Sequence, residues 1–202
     1  MFALLVCQLL CRAQAVVDPH TGNEFPLSDD RNTANKAPVE TLNLPTSNVV
    51  YQKPVSATKK LTSSIVQNIS IYSDPQKWDF KRAGDTIEYK IFRAGTTQNM
   101  GILISEPAPT TFSAMRDLAI KNAERVAGDV KVIKEEYRKV NGHKVLFSQF
   151  TATLSGINFT YFNYYYTSDF GTVQFMTFTI TDIVDKDKKD IQDLLNGLVV
   201  AY

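Results

Sequence analysis

The sequence predicts an α+β domain: an antiparallel β-sheet of about six strands with helices packed on both faces, an α/β/α sandwich. Three observations lead there. Between residues 86 and 181, apolar and polar residues alternate in runs separated by short turns that carry Gly, Asn or Pro. Two segments, 112–126 and the stretch after Asp185, carry apolar residues at helical spacing instead. Residues 157–167 and 172–181 are apolar or aromatic on both faces, and a strand of that kind needs cover on both.

Each element follows from local chemistry. Ile69, Ile71 and Tyr72 mark a short strand, closed by Asp74-Pro75 just before Trp78. In 86–93, Ile87, Tyr89 and Ile91 share one face of a strand; Gly95 supplies a turn, and 100–106 returns until Pro107 and Pro109 end it. Thr110 or Thr111 caps the first helix. Phe112, Met115, Ala119, Ala123 and Val126 form its buried face, and Gly128 is its left-handed stop. Arg116, Asp117, Lys121, Glu124 and Arg125 keep the opposite face wet. Asn141-Gly142 is the strongest two-residue hairpin signal in the chain, joining 130–140 to 144–154. Ser155-Gly156 and residues 168–171 turn the chain twice more, completing a four-strand meander. A helix capped by Asp185, with Ile191, Leu194, Leu195 and Leu198 as its stripe, closes the fold.

The start of the chain has another character. Residues 2–11 are apolar except for Gln8, and Ala13-Gln14-Ala15 follows as a small-x-small cleavage site, so 1–15 reads as a secretory signal peptide. The run is too short to span a bilayer, which takes roughly 20 residues in a helix. No Lys or Arg precedes it. The competing reading is a buried N-terminal helix. Cleavage after Ala15 removes Cys7, Cys11 and Arg12, leaving a chain without a thiol and with balanced charge. Thiolate nucleophiles, cysteine-based zinc sites and disulfides are thereby excluded from the mature protein. Residues 16–63, rich in Asn, Thr, Ser, Pro and Asp, read as a polar flexible leader to a domain at 64–202. The alternative is that 48–52 adds an edge strand to that domain.

The segment Ile69-x-Ile71-Tyr72-x-x-Pro75-x-x-Trp78, followed by a hairpin, a helix, a long Asn141-Gly142 meander and a last helix, resembles the PsbP/Mog1/DcrB-like group of small α/β domains. The resemblance covers residues 65–200 and rests on pattern more than on motif. It implies an accessory, assembly or binding module, several of whose relatives are exported, and no enzyme. No functional residue of the group matches here.

The chemistry-bearing residues are few. His20 lies in the leader and His143 at a hairpin tip, and no Gly-x-Ser-x-Gly turn exists to position a nucleophile. Asp182, Asp185, Asp187, Asp190 and Asp193 form the one acidic cluster. Lysines at 186, 188 and 189 interrupt it and the glycine of a calcium loop is missing, so a helix start with a wet face explains it better. Phosphate-binding glycine motifs are absent, so no cofactor is expected. Lys131, Lys134, Arg138, Lys139 and Lys144 interleave with Glu135 and Glu136. They read as a solvated, charge-balanced strand and not as a nucleic-acid surface. Asn68 and Asn158 sit in glycosylation triplets, which matter only in a eukaryotic host.

Aromatic residues are the remaining candidates for a site. Tyr161, Tyr164 and Tyr166, with Trp78, could stack on a sugar or clasp an apolar ligand. An aromatic strand in a two-sided core predicts the same letters. The sequence therefore points to a non-catalytic, exported accessory or binding domain, periplasmic or secreted. Its expected partner is another protein of the cell envelope, with no nucleic acid and no membrane span after signal cleavage. The rival is a ligand-binding module built on the 161–166 strand. An enzyme would need an acid/base pair such as Glu88 or Glu106, which the spacing does not supply.

Overall fold

The computed structural model describes residues 42–84, 87–96 and 99–201. The segment read as a signal peptide, most of the stretch read as a leader, both cysteines and His20 lie outside them. Eleven strands and two helices follow in order: β1 (Thr46–Tyr51), β2 (Lys59–Thr62), β3 (Ile69–Ser73), β4 (Trp78–Gly84), β5 (Ile87–Arg93), β6 (Asn99–Glu106), α1 (Phe112–Glu124), β7 (Lys131–Val140), β8 (His143–Leu154), β9 (Ile157–Ser168), β10 (Gly171–Ile180), α2 (Val184–Leu195) and β11 (Leu198–Val200).

This architecture corrects the predicted one. Among the described residues the chain is mostly β: an eight-stranded sheet in the order β1-β7-β8-β9-β10-β6-β5-β4 and a three-stranded sheet, β11-β3-β2, accompany only two helices. It is not a six-stranded α/β/α sandwich. Nor is the large sheet purely antiparallel, because β1 runs parallel to β7. β1 falls where the alternative reading put an edge strand, at 48–52, and the three strands outside the main prediction share a character. β1 and β2 come from the polar stretch before Ser63 and are largely exposed, and β4 buries only Trp78 fully, so none shows a clean alternation.

The meander is held by its turns. Asn141 and Gly142 both take positive φ (47° and 90°), as do Ser155 and Gly156 (51° and 79°), the twist a two-residue hairpin needs. β9 lies at the centre, pairing with β8 and β10 along nearly its whole length. Its alternate residues feed different cores. Phe162 and Tyr164 join Ile191, Leu194 and Leu195 of α2 and Ile69 and Ile71 of β3. Tyr161 packs with Phe150, Phe178 and Ala123, while Tyr165 packs with Phe112, Ala119 and Leu146 beneath α1.

Two helix ends differ from expectation. Thr111 caps α1, accepting from the Ala114 amide at 3.0 Å, but Gly128 is not left-handed. The amides of Arg125, Val126 and Ala127 continue the turn onto Lys121 and Ala123, so no reversal is required. A 3-10 turn, Thr181–Ile183, leads directly into α2, leaving Ile183 at its N-cap and Asp185 inside the first turn.

Candidate functional site

The four aromatic candidates do not form one surface. Trp78 and Tyr161 are each 1% exposed and Tyr164 is fully buried. Trp78, Tyr164 and half-buried Tyr166 belong to the α2-side core, whereas Tyr161 lies on the opposite face of β9. Trp78 carries the Arg93 guanidinium 5.1 Å from its ring centroid. Tyr161 stacks on Phe150 at 4.9 Å, and Tyr166 meets His143 edge-on at 6.2 Å. These rings are spent on packing.

Burial also keeps the hydroxyls of the buried tyrosines protonated. It pushes the hydroxyls of Tyr161 and Tyr165 far above the usual tyrosine range, and that of Tyr164 upward as well. The Tyr164 hydroxyl instead ties α2 down, donating to Asn196 Oδ1 at 2.9 Å and accepting from Gln192 Nε2 at 2.8 Å and Arg138 at 3.3 Å. Glu88, an acid/base candidate, is 5% exposed. Its carboxylate accepts from the Ser63 hydroxyl at 2.6 Å and from the Ser64 amide and hydroxyl at 2.6 and 2.8 Å. Burial alone would raise it; the hydrogen bonds win and hold it below the ordinary value.

Two members of the acidic cluster, Asp187 and Asp190, are engaged in the same way. Arg93 donates to Asp187 at 2.8 Å and to Asp190 at 3.0 Å, and Lys77 donates to Asp190 at 2.7 Å. Thr179 supplies a further donor to Asp187 at 2.7 Å. This network fastens α2 to β5, to β10 and to the turn that precedes β4. Among the described residues, no group of three His, Cys, Asp or Glu is placed to hold a metal ion.

The charged strand β7 is not uniformly solvated, which corrects its sequence reading. Glu136 and Arg138 are buried and paired at 2.8 Å, and the guanidinium lies 3.4 Å from the Phe147 ring centroid and 4.5 Å from that of Tyr51. Glu135 clasps Arg116 of α1 through two bonds of 2.7 and 2.8 Å. A buried arginine and an exposed one look alike in a sequence, so nothing there could have flagged Arg138.

An opening does exist at a place that no sequence pattern marks. α1 lies over β8 and β9 and, toward its end, shares a core with Ile102 of β6 and Met176 and Phe178 of β10, but nearer its start it leaves a gap beside these two strands. A groove of about 340 Å3 runs between them. Ile104 of β6 and Thr172 and Gln174 of β10 make its floor, and Ala114, Met115 and Leu118 of α1 its wall. Leu118 is 37% exposed, and Gln174 is anchored by donating to Asn163 Oδ1 at 3.0 Å. Such a lining offers apolar contact, a few amide and hydroxyl groups and one carboxylate, that of the acid/base candidate Glu106, which has no second acid or base beside it in the lining.

Comparison with known proteins bears on the fold. No protein-family model matches the chain, and no curated protein matches its sequence. Among solved structures, cyanobacterial PsbP (CyanoP) from Synechocystis sp. PCC 6803 superposes with a TM-score of 0.51 at 12% identity, over 73% of this chain and 95% of that one. LpqN of Mycobacterium tuberculosis, involved in cell envelope biogenesis, gives 0.49 at 7% identity, over 71% and 90%. PA94 of Pseudomonas aeruginosa, a protein of unknown function and putative regulator, gives 0.44 at 10% identity, over 71% and 97%.

Proposed function

We propose that this chain, with its PsbP-like fold, is a non-catalytic accessory domain of the cell envelope that works by binding another protein. The likeness to CyanoP supports the sequence resemblance at the level of fold. Within the fold, the observation that carries the reading is the groove beside α1. It is an apolar, open-sided recess of a size to take one or two side chains of a partner, whereas the strongest ionic clusters are locked into packing. Export follows from the signal-like segment 1–15, with Val16 as the first mature residue.

The test uses mature protein purified from its native extract as wild type and as Leu118→Glu, which places a charge on the groove wall. A stoichiometric protein that co-purifies with wild type and is lost with the variant supports the reading. A co-purifying small molecule with no protein contradicts it and favours the ligand-binding rival. Export is checked separately by N-terminal sequencing, where an intact Met1 in the cytoplasm refutes it.

A further inference from the structure

The β4 margin of the large sheet carries a charge pattern that the fold does not use. β4 is the last of the eight strands and, among the described residues, pairs only with β5. Across that pair Lys81 faces Lys90 directly, two like charges in register, which costs stability in a sheet. One step along, Arg82 faces Tyr89 with its guanidinium 5.8 Å from the ring centroid. From the small sheet, Lys59 brings its ammonium 5.8 Å from the Phe80 ring, and the Tyr89 hydroxyl donates to the Thr62 carbonyl at 3.2 Å, tying β2 to β5.

None of these four cations pairs with a carboxylate among the described residues. Of the acidic residues nearby in sequence, Asp79 accepts from the Gly95 amide and Glu88 from Ser63 and Ser64, while Asp85 lies outside the described residues. Basic residues on an edge strand also deter stray pairing, and that role accounts for Lys81 and Arg82. It does not account for Lys90, on an inner strand opposite another lysine, or for Lys59, which comes from a different sheet.

We propose that the β4 edge receives an extended acidic segment of a partner protein, added as a further strand. Lys81 and Arg82 are neighbours on a strand and so point to opposite faces. Lys90 stands behind the first and Lys59 lies on the side of the second, because Phe80 and Arg82 share a face. A run of consecutive carboxylates on an added strand meets a cation on each face in turn, while its backbone pairs with the free edge of β4. A planar anionic bilayer lying against the sheet meets one face only. The surface uses none of the groove's lining residues, so it stands or falls independently of the groove reading.

The test is fluorescence anisotropy of fluorescein-labelled decaglutamate with the full mature chain at low salt. Wild type binds; K81E/R82E binds about tenfold or more weakly, and Leu118→Glu binds as wild type does. Both positions of the double variant are exposed, and an unchanged melting curve verifies that it folds. Fully N-methylated decaglutamate keeps every charge but loses every backbone donor, and it binds about fivefold or more weakly. No binding by wild type, an unchanged affinity in K81E/R82E, or equal binding of the N-methylated peptide overturns the proposal. So does preference for phosphatidylglycerol vesicles over the peptide.

Discussion

The side-chain amide of Asn141, at the tip of the β7–β8 hairpin, donates at 2.7 Å to the backbone carbonyl of Asn196 at the end of α2. The same nitrogen reaches the Leu198 carbonyl at 2.7 Å, and its Oδ1 accepts from the Lys53 amide at 2.8 Å. One residue therefore makes the turn, with φ of 47°, and latches the β1–β2 connection and the C-terminal segment to it.

Turn and latch separate by substitution. Asn141→Gly keeps the positive φ at no steric cost but loses all three bonds, so it should destabilise the domain by about 2 kcal/mol. Asn141→Asp keeps the acceptor for Lys53 and should cost less than Asn141→Gly if the Lys53 bond dominates, more if the two carbonyls do. Urea unfolding measures both. A loss under about 0.5 kcal/mol in Asn141→Gly would show that the residue matters only as a turn former.

Glu88 gives the domain a defined acid sensitivity. Its folded carboxyl titrates below the ordinary 4.5, so the unfolded chain takes up the proton first as pH falls. The stabilisation is complete above that value and is lost as pH drops through the lower, folded one. Glu88→Gln should lose about 2 kcal/mol at neutral pH and show a shallower decline below pH 4.5. Asp190 and Glu136, also held low, keep part of that slope in the variant. Chemical denaturation repeated across pH 3 to 7 reads both effects, and identical slopes would contradict this role.

Gly197 has no room for a side chain. A Cβ there would collide with the Tyr72 carbonyl, whose residue's amide donates to the Gly197 carbonyl at 2.8 Å. Gly197→Ala should cost about 3 kcal/mol or more, by prising β3 from the α2–β11 turn. A thermal midpoint within a degree of wild type would refute the tight approach.

The domain boundary is also checkable. β1 pairs with β7, the Tyr137 amide donates to Pro45, and the Tyr137 hydroxyl donates to Leu42. Limited proteolysis should leave a resistant core that begins near residue 42 and retains Asn48. A core beginning beyond Gln52 would return β1 to the leader.

What could be read in advance followed burial. β8, β9 and β10 were legible because apolar faces such as Phe162 and Tyr164 opposite Tyr161 and Tyr165 leave only a covered strand, and Asn141-Gly142 and Ser155-Gly156 fix the register. β1 was legible only as the alternative edge strand at 48–52 and β4 not at all, because a strand held by backbone pairing at a sheet edge needs few apolar residues, and Val49 and Val50 remain exposed. The groove could not be read either. It depends on where α1 rests over the sheet, and the Arg116–Glu135 clasp that fixes that position joins residues 19 apart whose letters alone suggest two solvated charges.

The central claim is that the face beside α1 binds a protein. Site-specific photocrosslinking in the native host tests it most directly, with the photoreactive residue at position 118 on the groove wall and, as control, at the exposed position 188 on α2. The account predicts one discrete protein adduct from position 118, abolished by Met115→Asp, and none from position 188. No adduct at 118, or the same adducts from both positions, would contradict it.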